Sequence, residues 1–101
     1  MGLFGALFGK KSKKIGEFMD RDAVILDVRT PSEYKEGAIR QSKNIPVQEL
    51  TNRINEVKQW EKPVICCCAS GVRSETAAKL LRKHGIEAIN GGGWIRLQAK
   101  K

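Results

Sequence analysis

The amino-acid sequence predicts an α/β domain with a small, mostly parallel sheet and helices on both faces. Two continuous apolar runs, "AVILDV" at residues 23–28 and "KPVICC" at 62–67, suit strands buried on both sides, as parallel strands are. Segments with helical spacing and helix-cap chemistry lie between and after them. Strands alternating with helices are the pattern of βα units. The chain has 101 residues, enough for one domain with a modest core.

The organisation read from the sequence is a tail at residues 1–14, a domain at 15–98 and a short basic tail at 99–101. The opening "MGLFGALFG" has no basic segment before it and no small-residue cleavage pattern, and it is too short to span a bilayer. If helical, Leu3, Phe4, Leu7 and Phe8 share one apolar arc, and "KKSKK" follows, which together suit a weak contact with a membrane surface. The other reading is a tail that frays or tucks its aromatics against the domain, because Gly2, Gly5 and Gly9 weaken such a helix. The N-myristoylation pattern is incomplete, with Ala6 in place of Ser or Thr.

A helix is expected over Ser12–Met19, a turn over Asp20–Asp22, and then the first strand. "TPSEYKEG" offers Thr30 as cap, Pro31 at the first helical position, Glu33 three residues after the cap and Gly37 as a stop. "SKNIPV" reads as a short edge-like strand closed by Pro46. "VQELTNRINEVKQW" reads as one helix that packs through Val47, Leu50, Ile54 and Val57. After "KPVICC", "SETAAKLLRKHG" is a helix with Ser74 as N-cap and Gly85 as stop, and "IEAIN" is another strand.

Hydrophobic residues make up 41% and charged residues 30%, a balance of globular and not of disordered or membrane-spanning chains. Cys66, Cys67 and Cys68 are consecutive and odd in number, which excludes a spaced disulfide framework and points to a reducing cytoplasm. Of the net charge of +8, six units sit on Lys10, Lys11, Lys13, Lys14, Lys100 and Lys101, leaving +2 for the body and no basis for a nucleic-acid partner. No metal or other cofactor is expected, since the one histidine, His84, sits in a last helical turn and serves that helix end.

Ligands of parallel α/β sheets bind at the carboxyl ends of strands, which is where Cys68 stands. The loop "CASGVR", Cys68–Arg73, precedes a helix, so its backbone N–H groups can turn inward around the sulfur, with Gly71 permitting the curl. A helix N-terminus favours an anion and lowers a cysteine pKa, so Cys68 is the candidate nucleophile. Cys66 and Cys67 lie on the strand itself and are read as core.

"CASGVRS" resembles the active-site loop of the rhodanese family: cysteine, two residues, glycine, one residue, arginine and serine. "VILDVRTPSEYKEGAIRQSKNIP" is similar to that family's other signature, and "NGGGW" to its usual close. The likeness runs from about Ile15 to Leu97, with Ala38 where histidine is common and Gln41–Ser42 in place of the usual Gly-Ala.

The resemblance implies a sulfurtransferase that moves a sulfane sulfur from thiosulfate or a persulfide to a thiol or cyanide acceptor through a persulfide on Cys68. It implies that Ala69, Ser70, Gly71, Val72 and Ser74 hold that sulfur and that Arg73 orders the loop and offsets negative charge. A protein sulfur donor or acceptor is a further expected partner. Asp27, Arg29 and Glu33 are implied as a structural set beneath the loop, although Arg29 and Glu33 also suit a plain surface ion pair. Because Ala69, Ser70 and Val72 are neutral, thiosulfate is expected to be a slow donor and a persulfide a better one.

Two other classes stay open. A cysteine phosphatase or arsenate reductase shares this fold, but places five residues between cysteine and arginine, against the four here. A non-enzymatic sulfur-relay or regulatory module is the other.

Overall fold

The computed structural model of the chain describes residues 3–101, with side chains from Lys10 onward. Helix α1 (Leu3–Asp20) reaches well upstream of the expected Ser12 start, so "KKSKK" lies inside a helix. The side chains of the Leu3, Phe4, Leu7 and Phe8 arc fall outside the described residues. Ile15 and Phe18, three apart on one helical face, bury against the sheet and hold the helix down. A turn through Asp22, at φ 61°, then leads into strand β1 (Val24–Asp27).

Thr30 caps helix α2 (Pro31–Glu36) through the expected reciprocal bonds with Glu33, and strand β2 (Lys43–Asn44) follows. The stretch expected to be a single helix is broken. Helix α3 (Val47–Leu50) passes into a 3₁₀ turn (Thr51–Arg53), and helix α4 (Ile54–Lys58) restarts after Arg53, whose φ of −122° and ψ of 20° are not helical. Leu50, Ile54 and Val57 nevertheless reach the core, because tightening the middle turn preserves their common face.

Strand β3 (Val64–Cys68) is buried at every residue. Helix α5 (Val72–Lys83) begins two residues before the expected Ser74, and its N-cap is Gly71, so Ser74 stands inside the first turn and does not cap. Strand β4 (Ala88–Gly93) continues through the glycines, and helix α6 (Trp94–Lys100), absent from the sequence reading, closes the chain.

The sheet is all parallel in the order β2-β1-β3-β4, with β1 and β3 central. Its two faces have separate cores. Val64, Cys66 and Cys68 face α3, α4 and α5 with Leu50, Val57, Ala78 and Leu81; Ile65 and Cys67 face α1 and α6 with Ile15, Phe18 and Leu97. The period of two along β3 therefore sends Cys68 to the side where α5 begins. Between β3 and β4 the register slips: Cys66 pairs with Asn90 but Cys67 with Gly92. The extra residue is Gly91, where a Cβ would come within 2.6 Å of Ile65 and 3.0 Å of Leu97. Only glycine fits that bulge.

Candidate active site

Cys68 ends β3, and the next three residues fold back over it. Gly71 takes φ 103°, a left-handed value that glycine adopts freely, and this turn swings its N–H onto Cys68 Sγ at 3.0 Å. One turn into α5, Ser74 adds its N–H at 3.4 Å and its hydroxyl oxygen at 3.3 Å from the same sulfur. The early helix start explains why Ser74 is not a cap: its side chain looks back at the cysteine.

Burial pushes the Cys68 thiol up, but hydrogen bonds to the sulfur from the Ser74 hydroxyl and from the amides of Ser74, Gly71 and Ser70 outweigh it and bring the pKa below the ordinary cysteine value. The neighbouring thiols go the other way. Burial pushes Cys66 up to about 12 and also raises Cys67, where the Asp27 carboxylate adds to the effect. Of three adjacent cysteines, one is stabilised as thiolate.

Asn90, which the sequence reading passed over, ties the loop to β4. Its Nδ2 donates to the Gly71 carbonyl at 3.0 Å, while its Oδ1 accepts from the Ser74 hydroxyl at 2.7 Å and the Gly92 N–H at 2.8 Å. A hydroxyl has one proton, so Ser74 serves either Asn90 or the thiolate. The legible signal was an amide side chain directly before a glycine bulge at the end of a strand.

The charged residues divide into two pairs. Arg29, buried, donates to both oxygens of fully buried Asp27 at 2.7–3.0 Å and to the backbone carbonyls of Glu33 and Gly37. Its guanidinium also stacks 4.7 Å from the Trp94 ring centre, a second residue the sequence reading did not single out. Arg29 thus does not pair with the Glu33 carboxylate. That carboxylate takes Arg73 bidentately at 2.8 and 3.0 Å, and Arg73 together with the Thr30 N–H brings the Glu33 pKa down to about 2. The chain of contacts runs from the α2 cap through Glu33 to Arg73 on the first turn of α5. Ala69, Ser70 and Val72 stay exposed at the rim, Val72 by 73%.

Among the described residues no helix is long and apolar enough to cross a membrane.

Residues 12–95 match the Rhodanese-like domain family. The Bacillus subtilis protein YqhL is 44% identical over 69 residues, covering 68% of this chain and 54% of its own length, so the chain spans about half of that relative. A thiosulfate sulfurtransferase of Pseudoalteromonas translucida is 32% identical over 74 residues, covering 72% of this chain and 70% of the relative. Other relatives are named as a sulfurtransferase and as a sulfur carrier. The solved structure of a rhodanese-related protein from Thermoplasma volcanium superposes with a TM-score of 0.70 at 29% identity, covering 88% of this chain and 87% of that one. With its parallel sheet, its cysteine loop at a strand end and this match along most of its length, the chain belongs to the family of rhodanese-like domains.

Proposed function

We propose that the protein is a sulfurtransferase that carries a sulfane sulfur as a persulfide on Cys68. The observation that supports it best is the convergence of the Gly71 and Ser74 amides and the Ser74 hydroxyl on Cys68 Sγ, at 3.0 to 3.4 Å. Those donors suit a thiolate before transfer and a persulfide anion after it.

With thiosulfate, the Cys68 thiolate attacks the outer sulfur. The new S–S bond forms as the old one breaks, and its electron pair leaves on sulfite. Cyanide or an acceptor thiolate then attacks the outer sulfur of Cys68–S–S⁻, leaving as thiocyanate or as the acceptor's persulfide and returning the thiolate. Ala69, Ser70, Gly71, Val72 and Ser74 form the cradle. Arg73 orders it through Glu33, and the Asp27–Arg29 pair supports the floor. The Pseudoalteromonas relative's name as a thiosulfate sulfurtransferase agrees with this class of chemistry.

Arg73 is the one cation of the loop, and Glu33 already takes two of its N–H groups. A bare dianion at the sulfur therefore gains little, which makes thiosulfate a slow donor with a high KM and a thiol persulfide a faster one. Four residues between Cys68 and Arg73 suit one sulfur atom better than a tetrahedral oxyanion, which disfavours phosphatase chemistry. The setting that suits a free thiolate is a reducing cytoplasm.

The test is the intact mass of the protein after incubation with thiosulfate or glutathione persulfide. A gain of one sulfur atom, lost again to cyanide, is expected for the native chain and for Cys66→Ala and Cys67→Ala, and absent in Cys68→Ser. A Cys68→Ser protein that still gains sulfur would falsify the assignment.

A further inference from the structure

A cavity of about 550 Å³ adjoins the Cys68 loop, and the functional reading above leaves it unused. Its walls come from three places: Lys11 and Ser12 of α1; Ala69 and Ser70, the two residues that follow Cys68; and Arg96 and Lys100 of α6. The glycines 91–93 form its side, and Ile15 and Ile95 give it apolar surface, Ile95 being 68% exposed.

Three cations face this space and no carboxylate lines it. Among the described residues none of the three enters an ion pair, and the Lys100 ammonium donates only to the Ser12 hydroxyl, at 3.0 Å. Lys11 also lines a neighbouring cavity in which Lys10, Lys11, Lys14 and Arg82 face the single carboxylate of Glu75. The positive field along this edge of β4 is left uncompensated by the fold.

The position of the cavity decides the size of the anion. The Cα of Ser70 lies at most about 7.6 Å from that of Cys68, two residues at the virtual bond length. The cavity lies on the α1 and α6 side of the sheet, whereas the Cys68 side chain faces α5 and does not line it, so an anionic group held by Lys11, Arg96 and Lys100 is separated from the sulfur by the Ala69–Ser70 rim. Thiosulfate, whose charged oxygens are only two bonds from its reacting sulfur, is too short to use both places. A thiol with carboxylates several bonds from its sulfur reaches both, and the apolar wall accommodates the chain between.

We propose that the cavity between α1, α6 and the Cys68 loop is a carboxylate-binding subsite for a peptide-like, low-molecular-weight thiol or its persulfide, which presents its sulfur to Cys68. The inference rests on Cys68 as the sulfur-carrying residue. It gives α1 a part in the site: "KKSKK" contributes Lys11 and Ser12 to the wall.

The test is an NMR titration of the full chain with S-methylglutathione, which cannot exchange sulfur, and with its dimethyl ester, whose carboxylates are neutralised. Shifts at residues 11–12, 69–70 and 91–96 are expected. The ester should bind about tenfold more weakly, as should the free acid to the Arg96→Ala/Lys100→Ala double variant. The ester comparison needs no altered protein, so a folding defect cannot produce the result. Equal binding of acid and ester, shifts elsewhere, or no binding by a protein that still forms the Cys68 persulfide would each overturn the subsite. Carboxylate-dependent binding at these residues in a protein that takes up no sulfur would support the subsite and remove the sulfurtransferase reading instead.

Discussion

Cys66, Cys67 and Cys68 carry one chemical group in three environments, and the difference lies in which N–H and O–H groups reach each sulfur. Cys68 alone accepts hydrogen bonds that favour its charged form. Its alkylation rate against pH is expected to have a midpoint below the ordinary value of about 8.5. If the Ser74 hydroxyl turns its one proton from Asn90 to the thiolate, Ser74→Ala should move that midpoint up; a midpoint that stays or falls would mean that the proton stays on Asn90 and the amides alone set it. One thiol should alkylate in the native protein and three in denaturant: all three are buried, but Cys68 alone is favoured as thiolate and lies beneath the exposed rim of Ala69, Ser70 and Val72. Much at this scale is legible in the sequence. Strand alternation separates the cysteines, and the Gly71 spacing marks the curl. The roles of Ser74 and Asn90 are not, because both depend on where α5 starts relative to β4, a long-range packing result that local capping preferences do not contain.

Among the elements, α2 is the most fully encoded: Thr30, Pro31 and Glu33 specify its start, and the capping box forms as read. The same Glu33 carboxylate also carries Arg73. Its pKa is depressed from 4.5 to about 2, so its contribution to stability is complete above pH 4.5 and is lost as the pH falls toward 2. Urea midpoints measured from pH 6 to pH 2 should therefore fall through that window, and less steeply in Glu33→Gln. The α3–α4 break was not legible, because residues 47–60 keep helical spacing straight through it and the 3₁₀ turn preserves their face. Helix α6 is short, and its helical character comes from docking Leu97 under the sheet. Gln41, standing where the family usually has glycine, holds φ at 68°. Gln41→Gly relieves that strain against a larger unfolded-state entropy, for a net gain of about 0.5 kcal/mol, read as a rise of a few degrees in Tm. A lower Tm would show that the glutamine side chain has contacts worth more than the strain.

At the scale of the whole molecule, the four-stranded sheet divides two cores, and the smaller one depends on helices at the two ends of the chain. Ile15 and Phe18 come from α1 and Leu97 from α6. Phe18→Ala should cost about 3 kcal/mol and Leu97→Ala a similar amount, as buried truncations that leave a cavity. Thermal unfolding checks both, and a shift under about 5 °C in either would mean that the second core is dispensable. The α/β class and the parallel sheet were legible because both central strands are continuous apolar runs. The joining of the termini across one face was not, because the pattern of the first fourteen residues reads as a separate tail. Co-sedimentation with anionic vesicles of the full chain and of one lacking residues 1–14 separates the membrane-contact reading from the other; equal binding rules the contact out.

The alternation of cysteines along β3 also fixes how the protein meets an oxidant. Cys66 and Cys68 face the same side two residues apart, about 6.6 Å along a strand, whereas a disulfide needs its Cβ atoms within roughly 4.5 Å. Cys67 faces the opposite side of the sheet. A sulfenic acid on Cys68 thus has no resolving thiol within its own chain while β3 is intact. Peroxide treatment without added thiol should give masses raised by oxygen atoms and none lowered by two hydrogens, and recovery should require a thiol from another molecule.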